Sequence, residues 1–156
     1  MAKPAKGLKT LIRLSKFNVD EKRRALTALQ AREDEVLAEI QAAEDQLVHE
    51  QQLATANAET IGFAFPRFYQ AWAQRRHSME QALIALRQQI EQARDELAEA
   101  FREQKTYEVT QANREKRERE EADRKEQIFL DEVGLTMHRR KGEQQAADDA
   151  EEEAGG

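Results

Sequence analysis

The side chains able to act as nucleophile, base or metal ligand are few and scattered. The serines are Ser15 and Ser78, and neither stands in the strained strand-to-helix turn that presents a serine nucleophile. The histidines, His49, His77 and His138, lie far apart, and none belongs to a His-Glu-x-x-His or Glu-x-x-His pattern. His77 and Glu80 share a helix face at i,i+3 spacing, but a single such pair does not hold a metal. There is no cysteine, which excludes disulfides, thiolate nucleophiles and Cys-based metal sites. No glycine-rich loop is present to cradle a phosphate. Carboxylates abound, with 31 Asp and Glu in 156 residues, yet they are spread through charge-dense stretches that read as solvated helix surface. The expectation is a protein without catalytic residues, metal or cofactor.

What does concentrate is aromatic surface. The stretch IGFAFPRFYQAW, Ile61 to Trp72, holds Phe63, Phe65, Phe68, Tyr69 and Trp72. These are five of the nine aromatics in the chain, six Phe, two Tyr and one Trp. Such a cluster either packs one end of a structure or marks a contact surface. Three of the five fall on the apolar register described next, and Phe63 and Phe68 do not.

The elements that must position this cluster follow from periodicity. Charged residues make up 36% of the chain and there are only six Gly and two Pro, the profile of long helices rather than of a compact core. From Ile12 to Ile61 an apolar stripe advances in alternating steps of four and three, with ten of fifteen positions apolar. That is a heptad seam, which a partner helix must cover. Gly62 and Pro66 are the only Gly or Pro between residues 8 and 133. A glycine past a helix end favours the left-handed closing residue, and a proline suits the first turn of the next helix. A second stripe runs from Phe65 to Tyr107, with eleven of thirteen positions apolar or aromatic. The predicted fold is all-α: two long helices forming an antiparallel coiled-coil hairpin over 8–141. Helix 1 spans about 8–61, the tip 62–66 and helix 2 about 66–133.

Charge is distributed unevenly. Residues 1–24 carry eight basic and two acidic residues, net +6, whereas 143–156 carry six acids and no base. Residues 1–7 read as a flexible basic N-terminus, and 142–156 as an acidic tail too poor in apolar groups to order itself. The block NREKREREEADRKEQ, 113–127, has six bases and six acids, so it is helix held by i,i+4 pairs rather than a DNA-binding basic region. No nucleic-acid partner is expected. Leu8, Leu11, Ile12, Leu14 and Phe17, with Lys3, Lys6, Lys9, Arg13 and Lys16, make a basic amphipathic segment. It is either the first turns of the coil or a face for an acidic membrane or protein. No apolar run reaches the roughly 20 residues of a membrane helix, and no signal peptide is evident, so a cytoplasmic protein is the default.

Taken together, LIRLSKFNVDEKRRALTALQ (11–30) with its Val19-Asp20-Glu21 start, the Gly62-x-x-x-Pro66 tip and the Leu130-Asp131-Glu132 end resemble the FliJ family of the bacterial flagellar export apparatus. More distantly they resemble the stalk proteins of virulence type III secretion. The resemblance covers about residues 8–141. It implies a non-enzymatic cytoplasmic stalk, with roles in flagellum biogenesis and hence motility and chemotaxis. Its implied partners are the hexameric export ATPase, the cytoplasmic domain of the membrane export gate, and export chaperones. Membrane association would be peripheral, through partners, on the inner face of the cell membrane at the flagellar base. Carried onto this chain, the ATPase would meet Leu8, Leu11, Ile12, Phe129, Leu130, Glu132 and Val133, and the gate or a chaperone the five aromatics of the tip. The alternative is a generic coiled-coil scaffold that covers its seam by self-association.

Overall fold

A computed structural model describes the backbone of residues 3–156 and the side chains of 7–156. Helix α1 spans Lys3–Ala56, a single 3-10 turn spans Gly62–Ala64, and helix α2 spans Phe65–Ala154, with no strand among the described residues. The fold is the expected all-α hairpin. Its element bounds differ from the sequence expectation at three places. Lys3 to Gly7 are helical, where a flexible segment is expected; Met1 and Ala2 of that segment lie outside the described residues. Helix α1 stops at Ala56 rather than near 61. Helix α2 continues through the acidic tail to Ala154. Ala, Glu and Gln dominate that tail, and their high helix propensity accounts for its helicity without any packing.

The chain divides into two compact units, one extending through Tyr107 and the other Glu108–Gly156. In the first, α1 and α2 run antiparallel. As α2 advances from Trp72 through Arg76 and Arg87 to Glu96, its partners recede along α1 from Ala43 and Glu44 through Glu33 to Lys22. These pairs centre the reversal near Thr60, four residues earlier than a tip at 62–66 would place it. The core is Val36, Ile40, Leu83, Leu86 and Ile90, with Leu26, Leu29 and Met79 packed against it. Val19, Ala43, Ala93 and Ala100 extend the buried line. All of these are positions of the two predicted stripes. Burying each large side chain stabilises the hairpin by roughly 1.5–3 kcal/mol.

Four polar interruptions of the seam, Ser15, Lys22, Glu33 and Arg76, find partners. Ser15, 5% exposed, donates to the carbonyl of Ile12 at 2.8 Å. Lys22 pairs with Glu96 at 3.2 Å and Glu33 with Arg87 at 3.1 Å, both across the hairpin. Arg76 bridges Glu44 at 2.9 Å and Glu80 at 2.6 Å. Cross-helix pairs of this kind set register more than they add stability.

The turn is made by Asn57 rather than by Gly62. The Asn57 carbonyl accepts from the backbone N–H groups of Thr60, Ile61 and Gly62, while its side-chain amide donates to the Leu53 carbonyl at 3.2 Å. No glycine among the described residues has positive φ, so the expected left-handed closure at Gly62 is not used. Pro66 does stand in the first turn of α2, as expected.

The second unit is helix from Glu108 to Ala154, and every residue from Glu115 onward is exposed. The i,i+4 ion pairs expected in 113–127 do not form among the described residues. The contacts that do form are between neutral and charged groups: Gln111 donates to Glu115 at 2.9 Å, and Gln127 to Asp131 at 3.2 Å.

Candidate partner-binding surfaces

The aromatics of the tip form a ladder along the start of α2. Ring centroids of Phe65 and Phe68 lie 6.1 Å apart and those of Phe65 and Tyr69 6.2 Å. Tyr69 and Trp72 stack at 5.8 Å with 25° between planes. Offset contacts in this range contribute about 0.5–1.5 kcal/mol beyond burial. The indole Nε1 of Trp72 donates to the Ala43 carbonyl at 2.7 Å, which ties the ladder to α1. The structure redistributes the five residues between packing and surface. Phe65, Phe68 and Trp72 are half-buried, so Phe68, off the predicted register, packs after all. Tyr69, on that register, is 46% exposed, and Phe63 in the 3-10 turn is 80% exposed. The outward surface of the tip is therefore Phe63 and Tyr69, backed by the other three.

The residues assigned to the base divide between the two units. In the first, Leu8 is 7% exposed and offers almost no surface to a partner, Ile12 is half-buried, and Leu11 is 43% exposed. In the second, Phe129, Leu130 and Val133 are 62%, 53% and 38% exposed, and Glu132 is also exposed. Phe129, Val133 and Met137 recur at i,i+4,i+8 and Leu130 adjoins them, so one helix face carries four large apolar groups. Met137, 65% exposed, belongs to this face and is an addition to the residues read from the sequence.

Two further side chains escape a reading based on apolar stripes. Arg76, with 22% side-chain exposure, occupies a seam position and reaches two carboxylates. Arg23 sits 5.7 Å from the centroid of the Phe101 ring, a cation–π contact across the hairpin. The signal for both is a base on or beside the seam with an acid or aromatic at the antiparallel position. Near the end of the first unit Tyr107 donates to Glu103 at 3.1 Å, and this hydrogen bond to a carboxylate raises the phenol pKa above its ordinary value.

Among the described residues no three His, Asp or Glu side chains are grouped to hold a metal ion, and no helix is long and apolar enough to cross a membrane. The concavities are open surface grooves, such as that lined by Asp20, Arg23, Arg24, Thr27, Ala28 and Ala31.

Fold and surfaces together define an α-helical coiled-coil hairpin that presents an aromatic tip and unpaired apolar helix faces. The family model of the flagellar FliJ protein matches residues 5–143, nearly the whole chain, and the protein belongs to that family. It is thus a protein of flagellar export, in a family of non-catalytic components. Neither curated proteins nor solved structures include a match to the chain.

Proposed function

We propose that this protein is the stalk of the flagellar export apparatus. In this reading it engages the export ATPase hexamer through its base residues and the cytoplasmic domain of the export gate or an export chaperone through its tip. It is held at the inner face of the cell membrane by those partners. The observation that carries the reading is the family match over 5–143, joined to exposed apolar side chains on both base segments. Leu11, Phe129, Leu130 and Val133 each hold surface that association would remove from water, at about 25 cal/mol per Å² of apolar area. Ile12 flanks the first set. Glu132, within the second, supplies a charge for a basic partner group. At the tip, Phe63 and Tyr69 are the aromatic anchors, a residue type enriched where partners bind tightly.

The test is a titration of the full chain into the flagellar export ATPase of the same organism, following hydrolysis rate and hexamer population together. Both rise in this account. Leu11→Asp combined with Leu130→Asp lowers the stimulation while far-UV circular dichroism stays at the wild-type level. An unchanged rate, together with no capture in a pull-down, defeats the reading. For the tip, Phe63→Ala weakens binding to the gate domain without moving Tm; undiminished binding removes the tip from the contact.

A further inference from the structure

The structure separates the apolar residues near the start of α1 into two sets. Leu8 and Val19 face inward, with 7% and 3% exposure, beside the buried polar Ser15. Leu14 and Phe17 face outward, at 58% and 57%, and Leu11 follows them at 43%. Spaced three residues apart on successive turns, these three make a stripe that the hairpin seam does not use. Lys9, Arg13 and Lys16 run beside it, all exposed, and none forms an ion pair among the described residues. Residues 7–17 contain no acid. Ordinary outer-face chemistry for a coil is polar, so two large apolar groups more than half exposed among free cations need a different explanation.

We propose that this outer face of α1 docks on an anionic bilayer surface. Bases flanking an apolar stripe on one helix are the arrangement that lies in the headgroup region: the cations meet lipid phosphates and the apolar groups enter the acyl boundary. Charge complementarity alone would also admit the acidic segment 143–156 of a second copy. That segment, however, has only Ala as apolar side chains and leaves Leu14 and Phe17 uncovered. A bilayer supplies both the negative charge and the apolar layer. The face shares Leu11 with the base contact but its other residues, Leu14, Phe17, Lys9, Arg13 and Lys16, lie outside the base and tip contacts, and it would orient the hairpin directly against the membrane.

The experiment is vesicle flotation of the full chain at low and physiological salt. The vesicles are phosphatidylcholine alone or phosphatidylcholine with about a third phosphatidylglycerol, an anionic content sufficient for a surface potential. At least tenfold more protein floats with the anionic vesicles. Leu14→Asp with Phe17→Asp abolishes flotation, and so does Lys9→Glu with Arg13→Glu and Lys16→Glu, while both variants keep wild-type helicity and ATPase stimulation. Leu11 is left native so that loss of lipid binding is separable from loss of the base contact. No flotation, or flotation that survives the Leu14 and Phe17 changes, overturns the proposal. So does salt-sensitive self-association that disappears in Glu151→Lys with Glu152→Lys and Glu153→Lys, which would assign the face to the tail of a second copy.

Discussion

Residues 83–100 and residues 128–137 are both helical and both rich in large apolar side chains, yet only the first stretch buries any of them. Leu83, Leu86, Ile90, Ala93 and Ala100 are buried against α1, whereas Ile128, Phe129, Leu130, Val133, Leu135 and Met137 are all exposed. Composition does not separate these stretches; coverage does. A heptad seam becomes a core only where a second helix lies on it. Where none does, the same residue types stay exposed on a helix held in shape by helix propensity alone. The first unit therefore owes its stability to packing and the second to local backbone preference.

The largest test of this contrast is a charge in the seam. Ile90 is 3% exposed, and Ile90→Asp buries an unpaired carboxylate or forces the helices apart. A loss of about 3–5 kcal/mol is expected, read as a lowered denaturant midpoint and lost cooperativity. A smaller change shows whether the aromatic ladder truly ties the tip. Trp72→Phe keeps the ring but removes the donor to Ala43, which is expected to cost about 1 kcal/mol and lower Tm by a few degrees. In the second unit the sign reverses. A Cβ at Gly134 meets open space, so Gly134→Ala adds about 0.8–1 kcal/mol of helix propensity, visible as increased ellipticity at 222 nm. Arg76→Met tests the ion pairs; with the carboxylates nearly half exposed, the loss stays below about 1 kcal/mol and shrinks in high salt. The smallest effect is Leu130→Asp, with stability changed by no more than about 0.5 kcal/mol, because the side chain is already in water. A large destabilisation there would mean that 128–137 is packed in solution.

Much of this architecture was legible in the residues. The alternation of four and three from Ile12, and again from Phe65, marks the side chains that the structure buries. The reversal between the stripes follows from the density of turn residues at Gly62 and Pro66. The turn itself lies earlier than the sequence predicts, because Asn57 falls on the apolar register and reads as a polar interruption of the seam. In the structure its carbonyl gathers three N–H groups and ends α1. Periodicity carries no information on which backbone carbonyl gathers the N–H groups of a turn. The acidic tail differs from its expected disorder for the opposite reason: low hydrophobicity argues against a core, but Ala and Glu still favour helix, which runs to Ala154. At the surfaces, residue type identified the tip cluster, while exposure had to come from packing. Phe68 turned inward against Phe65 and Tyr69 outward. Leu8 and Leu11 differ by three residues and fall on opposite sides of the burial boundary for the same reason.

The contrast between covered and uncovered helix is tested most directly by amide hydrogen exchange on the full chain, alone and with the export ATPase. In the free protein, amides of 83–100 exchange slowly, because opening them requires separating the helices, and those of 128–137 exchange fast. On adding the ATPase, protection rises at 128–137 and around Leu11, and stays unchanged at 83–100. Protection of 128–137 in the free chain equal to that of 83–100, or no gain there with the ATPase bound, would contradict the account.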